Sequence, residues 1–143
     1  MDLLEQAKKA LEAEGVTFAA VSTSGEQKTS QKKGIAPMME ILAECPEFLQ
    51  GAAVADQVIG KAAAFLLHKG GAKYLYAKII SEHALETLKD SGIAVSYGTK
   101  VPYIINRKKD GMCPMEQTVL SVTDVEEAYG KLQEKLRELS GKN

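Results

Sequence analysis

The residues with chemistry to offer gather in three short stretches: Asp56-Gln57-Val58-Ile59-Gly60-Lys61, Ser81-Glu82-His83 and Cys113-Pro114-Met115-Glu116. Gly60-Lys61 invites comparison with a phosphate-binding loop, where backbone amides, a lysine and a magnesium-binding hydroxyl follow the pattern G-x-x-x-x-G-K-[ST]. Ala55 and Ala62 stand where the first glycine and the hydroxyl belong, so nucleotide hydrolysis of that kind is excluded. What remains is a lysine in the first turn of a helix, facing the positive end of the helix dipole at a cost of up to about 1 kcal/mol. Two partners could offset that cost. One is Asp56, placed at the carboxyl end of the preceding strand; the other is an anion bound at the helix start, where open α/β sheets take their ligands.

Cys113 stands before a proline at the start of a short helix, a setting that can lower a thiol pKa below its usual value of about 8.5. Glu116 follows one turn later. The pair reads either as a reactive or anchoring group facing the crevice, or as a buried small hydrophobe with a solvated or capping glutamate. His68 and His83 lack partners at metal-ligand spacing and read as structural. The expected ligand-binding set is therefore Asp56, Gly60, Lys61, Ser81, Glu82 and Glu116, with Asp56, Lys61 and Cys113 as catalytic candidates. No metal or other cofactor is expected.

The elements that must position these groups follow from periodicity. Gly51 to Gly92 reads strand, helix, strand, helix. Lys61 to His68 has no usable polar face, and a helix apolar all round is one buried between other layers. Ala52 to Asp56, Tyr74 to Ile80 and Ile93 to Tyr97 read as parallel strands joined by right-handed crossovers, with Ser81 capping a helix over 82–89. Before them come a helix over 3–14 behind a capping box of Asp2 and Glu5, a hairpin of Val16–Ser22 with Glu26–Ser30, and a helix over 36–44 that Pro37 opens and Cys45-Pro46 ends. After them, Thr99 to Met112 reads as a long loop with a short strand over 101–105. A final helix opens at Thr123, with Glu126 three residues on, and stops at Gly141. The architecture implied is a three-layer α/β/α sandwich with a mixed sheet, in one domain over 1–143.

Composition narrows the function classes. The formal net charge is -1, from 18 basic and 19 acidic residues, which gives no electrostatic reason to expect nucleic acid or an anionic membrane. Lys32-Lys33 and Arg107 to Lys109 read as solvated loop charges. Cys45 and Cys113 fit no zinc or disulfide spacing, the start of the chain is not a signal peptide, and no apolar run approaches the roughly 20 residues that span a bilayer. A cytoplasmic protein is the expectation, with an anionic small molecule and a second copy of the chain as its expected partners.

The segments GAAVADQVIGKAAAFLL, AKIISEHALETLKDSGIAVSYG and GMCPMEQTV resemble those of a small prokaryotic family, a domain of unknown function with a cytidine deaminase-like fold. The resemblance runs from GIAPMMEIL to the last helix. It implies the three-layer architecture and no activity. Deaminases of that fold hold zinc through H-x-E at one helix start and P-C-x-x-C at the next. By order of elements, Asp56 to Lys61 and Ser81-Glu82-His83 take those places, and neither carries the ligands. The readings in play are a metal-free small-molecule binder or enzyme, a regulatory or structural protein that keeps the fold without the chemistry, and a zinc deaminase with unusual ligands.

Overall fold

Phe18–Val21 (β1), Ala53–Ile59 (β3) and Tyr74–Ser81 (β4) carry the densest apolar runs, and they lie side by side at the centre of a five-stranded sheet. Gln27–Ser30 (β2) and Ala94–Val101 (β5) form its edges, in the order β2-β1-β3-β4-β5. β1 runs antiparallel to both neighbours, while β3, β4 and β5 are parallel, so the sheet is mixed as expected. This computed structural model describes residues 2–106 and 108–140. Arg107 and the expected helix stop at Gly141 lie outside the described residues.

The helices divide unequally between the faces. Leu3–Leu11 (α1) covers one face, setting Ala7 and Leu11 against Ala19, Val21, Ala53 and Ala55. Ala36–Glu44 (α2), Lys61–Gly70 (α3) and Glu82–Leu88 (α4) share the opposite core, together with a 3-10 turn at Pro46–Leu49 that the sequence reading did not anticipate. Pro114–Thr118 (α5) and Val125–Ser140 (α6) both pack against α3. α3 thus lies between the sheet and α6, and Ala62 through Leu67 are all buried, as a helix without a polar face requires. Both crossovers, β3-α3-β4 and β4-α4-β5, step the sheet in one direction with their helices on one face, so they share a single hand.

Caps and strand ends decide where the side chains fall. Asp2 Oδ1 accepts from the Glu5 amide at 2.8 Å to start α1. That helix ends at Leu11 rather than 14, because the Glu12 and Ala13 amides turn back to the carbonyls of Lys9 and Ala10 in a tightened last turn. α6 is capped by Asp124, whose Oδ2 accepts from the Glu127 amide at 2.9 Å, and not by Thr123. Two strands outrun their expected ends. β3 continues from Asp56 to Ile59 because Val58 and Ile59 pair with Ile79 and Ile80, and β5 reaches Val101 because Thr99 to Val101 pair with Ile79 to Ser81. Asp56 consequently sits in the middle of a strand instead of at its end. The short strand expected over 101–105 is reduced to one bridge, Ile105 to Met112, at the neck of a loop.

Leu66 is fully buried in the core shared by the sheet, α3 and α6. Its truncation to Ala should lower unfolding free energy by about 2–5 kcal/mol in urea denaturation, the range for a large-to-small change in a packed core. A loss below about 1 kcal/mol would contradict that packing.

Candidate functional site

Glu116 is where the separate parts of the chain meet. It is 1% exposed, and its carboxylate accepts from three donors on three segments: the Lys61 amide at 2.8 Å, the Ser81 hydroxyl at 2.5 Å and the Ile104 amide at 2.7 Å. The first of these is an orphan amide of α3, since Gly60 at the cap offers no side chain. Ser81 also accepts from the Ala84 amide at 3.0 Å, so one hydroxyl caps α4 and holds Glu116 together. The anion expected at the start of α3 is therefore part of the chain: Glu116 fills that position and satisfies the helix dipole.

Lys61 and Asp56 do not form the expected ion pair; among the described residues no such bridge exists. Lys61 Nζ reaches the Leu120 carbonyl at 2.5 Å, tying the first turn of α3 to the chain beyond α5. Desolvation lowers its pKa and the nearby Glu116 carboxylate raises it, the former prevailing. Gly60 permits the close approach of these parts. A Cβ there would stand 2.9 Å from Ile104 Cγ1 and 3.2 Å from Glu116 Oε2.

Asp56 is 6% exposed and lies between Phe18 of β1 and Ala77 of β4. Its partners are local backbone amides, Val58 at 3.3 Å and that of Gln57. Burial without a cation pushes its pKa from the ordinary 3.8 up to about 8, against the lowering effect of those two amides. Asp56 lines a cavity of about 310 Å³ bounded by the starts of α2 and α3, the β3 strand and the loop ahead of α5. The loop is folded over by the Ile105 to Met112 bridge, by Asn106 N–H to the Gly111 carbonyl at 2.8 Å and by Cys113 N–H to the Ile104 carbonyl at 2.7 Å.

Of the expected site residues, Asp56, Gly60, Cys113 and Glu116 line this cavity. Lys61 and Ser81 adjoin it through Glu116, and Glu82 is exposed and does not line it. The helix starts that meet here are those of α2 and α3, one crossover earlier than the order of elements suggested, and neither carries His or Cys. Sequence reasoning missed Thr17, Lys33, Ile35 and Ile104 among the other wall residues. Gly34 and Pro37 marked a helix start at α2, but nothing local showed that it faces β3. Among the described residues no three or more of His, Cys, Asp and Glu stand together as metal ligands.

Fold and site together define an α/β sandwich protein with a largely apolar cavity at the strand and helix ends, carrying one unpaired buried carboxyl. The chain belongs to the family described as TM1506, domain of unknown function (DUF1893), whose model matches residues 6–136. It is similar to the crystal structure of a DUF1893 family protein from Thermotoga maritima, at 33% identity and a TM-score of 0.84 over 93% of this chain and 89% of that one. A Thermotoga maritima diaminohydroxyphosphoribosylaminopyrimidine deaminase/5-amino-6-(5-phosphoribosylamino)uracil reductase matches at 16% identity and a TM-score of 0.43, over 83% of this chain and 39% of that one. No curated protein matches. Among the described residues no helix is long and apolar enough to cross a membrane.

Two outcomes follow from the two carboxyls. Glu116→Ala leaves three donors without their acceptor, each worth about 1–3 kcal/mol when buried and unsatisfied, so stability should fall by about 3 kcal/mol or more. Added formate should restore part of that loss in thermal unfolding, since it supplies the missing carboxylate; no effect of formate would mean that the pocket collapses around the gap. Asp56 makes stability depend on pH. The folded chain retains a proton that the unfolded chain releases near 3.8, so the stability it contributes is full below 3.8 and is lost as pH rises through about 8. Asp56→Asn should therefore gain on the parent across that window, by up to about 1.4 kcal/mol per pH unit, and hold a constant advantage above it. Urea titrations at several pH values measure the difference.

Proposed function

We propose that this protein is a small-molecule binding protein whose ligand occupies the cavity between β3, the starts of α2 and α3, and the 102–113 loop, without a metal. One observation carries the reading. A carboxyl buried to 6% exposure faces a cavity of about 310 Å³ and finds no side-chain partner among the described residues. Buried polar groups are ordinarily satisfied, and one left open toward a cavity of ligand size has its partner outside the chain. The ligating side chains present do not cluster as a metal site.

Binding is favoured over catalysis because neither His68 nor His83 lines the cavity, so Cys113 has no imidazole base beside it there. The anionic ligand expected at the start of α3 has lost its position to Glu116. The remaining wall, with Ile35, Val58, Ala62, Ala63, Ile104 and Met115, suits a compact apolar body carrying one polar edge.

The test is a fragment screen by amide chemical shift on the parent chain and on Ala63→Leu, whose larger side chain fills the cavity. Fragments should shift cavity signals such as Gly60 and Ala63 in the parent and lose that effect in the filled variant. Hits that persist unchanged in Ala63→Leu would place binding elsewhere and reject the reading.

A further inference from the structure

The two edges of the sheet are built differently. An open edge offers its backbone to any extended strand, and soluble proteins blunt it with short length, charge or proline. β2 follows that rule: it is four residues long, carries Lys28, and is followed by Lys32, which bridges to Glu40 of α2. β5 does not. It runs for eight residues, Ala94 to Val101, of which Val95, Tyr97, Thr99 and Val101 are strong strand formers. Its single charge, Lys100, stands next to its end, and Pro102 comes after it.

The strand is bare on its faces as well as along its edge. Val95 packs against the core of α3 and α4, whereas Ala94, Ser96, Tyr97, Gly98, Thr99 and Lys100 are exposed. Tyr97 shares the face of Val95 by strand alternation and is 44% exposed. The Ala94 amide donates to the Lys73 carbonyl at 2.9 Å, so Ala94 and Ser96 turn their backbone groups toward β4 and Val95 and Tyr97 turn theirs outward. Among the described residues β4 is the one strand paired with β5, and no loop or cap hydrogen bond reaches Val95 or Tyr97 on the outer side.

We propose that β5 is the contact between two copies of this chain, paired antiparallel about a twofold axis through Tyr97 so that the two sheets become one. The register follows from the backbone. Outward-facing residues must stand opposite outward-facing residues in an antiparallel pair, so the axis passes through a residue and not between two. Axes through Tyr97 and through Gly98 give the longest overlap within β5. The first sets Ala94 opposite Lys100, Val95 opposite Thr99, Ser96 opposite Gly98 and Tyr97 opposite itself. No like charges meet in that register, and the exposed Tyr97 ring gains an aromatic neighbour where the second axis would place two glycines. The strand is thus its own complement in length, charge and side-chain pairing, which is what a closed isologous contact requires and what favours a second copy over a foreign peptide.

The test combines sedimentation equilibrium of the full chain, from about 1 μM to 1 mM, with amide hydrogen exchange at the two ends of that range. The parent should reach twice the mass of one chain, and the Val95 and Tyr97 amides should exchange slowly when concentrated and fast when dilute. Tyr97→Lys, shown by its amide spectrum to be folded, places two ammonium groups on the axis and should raise the dissociation constant by about tenfold or more, through the lost aromatic pair and the like charges that replace it. Leu139→Lys, at an exposed apolar residue of α6, should associate as the parent does. The exchange measurement needs no variant. A parent that stays monomeric over the whole range, with both amides exchanging freely, would overturn the proposal and leave the edge to a different partner. A dimer in which those two amides stay unprotected, or which Tyr97→Lys leaves as tight as before, would place the contact on another surface and overturn it equally.

Discussion

One carboxylate decides how the carboxyl ends of the strands are closed. Glu116 accepts from the amide that opens α3, the hydroxyl that opens α4 and the amide of Ile104, groups that lie 55, 35 and 12 residues before it in the chain. Charge-assisted hydrogen bonds to a buried carboxylate are short and strong when every lone-pair direction is used, and costly when one is not. The close approach of the three segments depends on Gly60 lacking a side chain, and the course of α5 follows from where Glu116 must stand. Lys61 joins the same junction from its other end, through the Leu120 carbonyl.

That junction also explains the shape of the cavity next to it. α3 could have offered its first amides to a ligand, as helix starts at strand ends commonly do. With Glu116 in that place, the open cavity lies on the side where α2 begins and Asp56 stands. The two carboxyls are both buried and have different surroundings: the first accepts from donors on three segments, while the second has only two local amides and burial raises its pKa to about 8. The difference between them lies in their neighbours: Glu116 has three donors and the Lys61 ammonium nearby, while Asp56 has two local amides.

Much of the frame was legible in the sequence because it depends on local signals. The unbroken apolar run at Ala62 to Leu67 announced a helix between layers, Ser81 announced a cap, and Pro37 with Cys45-Pro46 bounded α2 to the residue. Strand ends were less legible: Gln57 to Ile59 looks like a turn until β4 supplies Ile79 and Ile80 as parallel neighbours. The site was legible in its residue types and not in its pairings. Asp56 within Ala-Val-Ala-Asp stood out as a carboxyl in an apolar strand, but its separation from Lys61 depends on the strand running on past it. Glu116 stood out by its place one turn into α5, but its partners did not, because each is distant in sequence and is brought to it by the layering of α3, α4 and the loop.

The order in which Glu116 meets its partners has a consequence for how the chain assembles. Every strand is complete by Val101, so a chain emerging from synthesis can form its sheet and both crossovers while the Lys61 amide, the Ser81 hydroxyl and the Ile104 amide still face water. Their acceptor arrives last. Closure of the strand ends thus waits on a residue made after every donor it serves, and that residue joins the three donors into one junction beside the cavity.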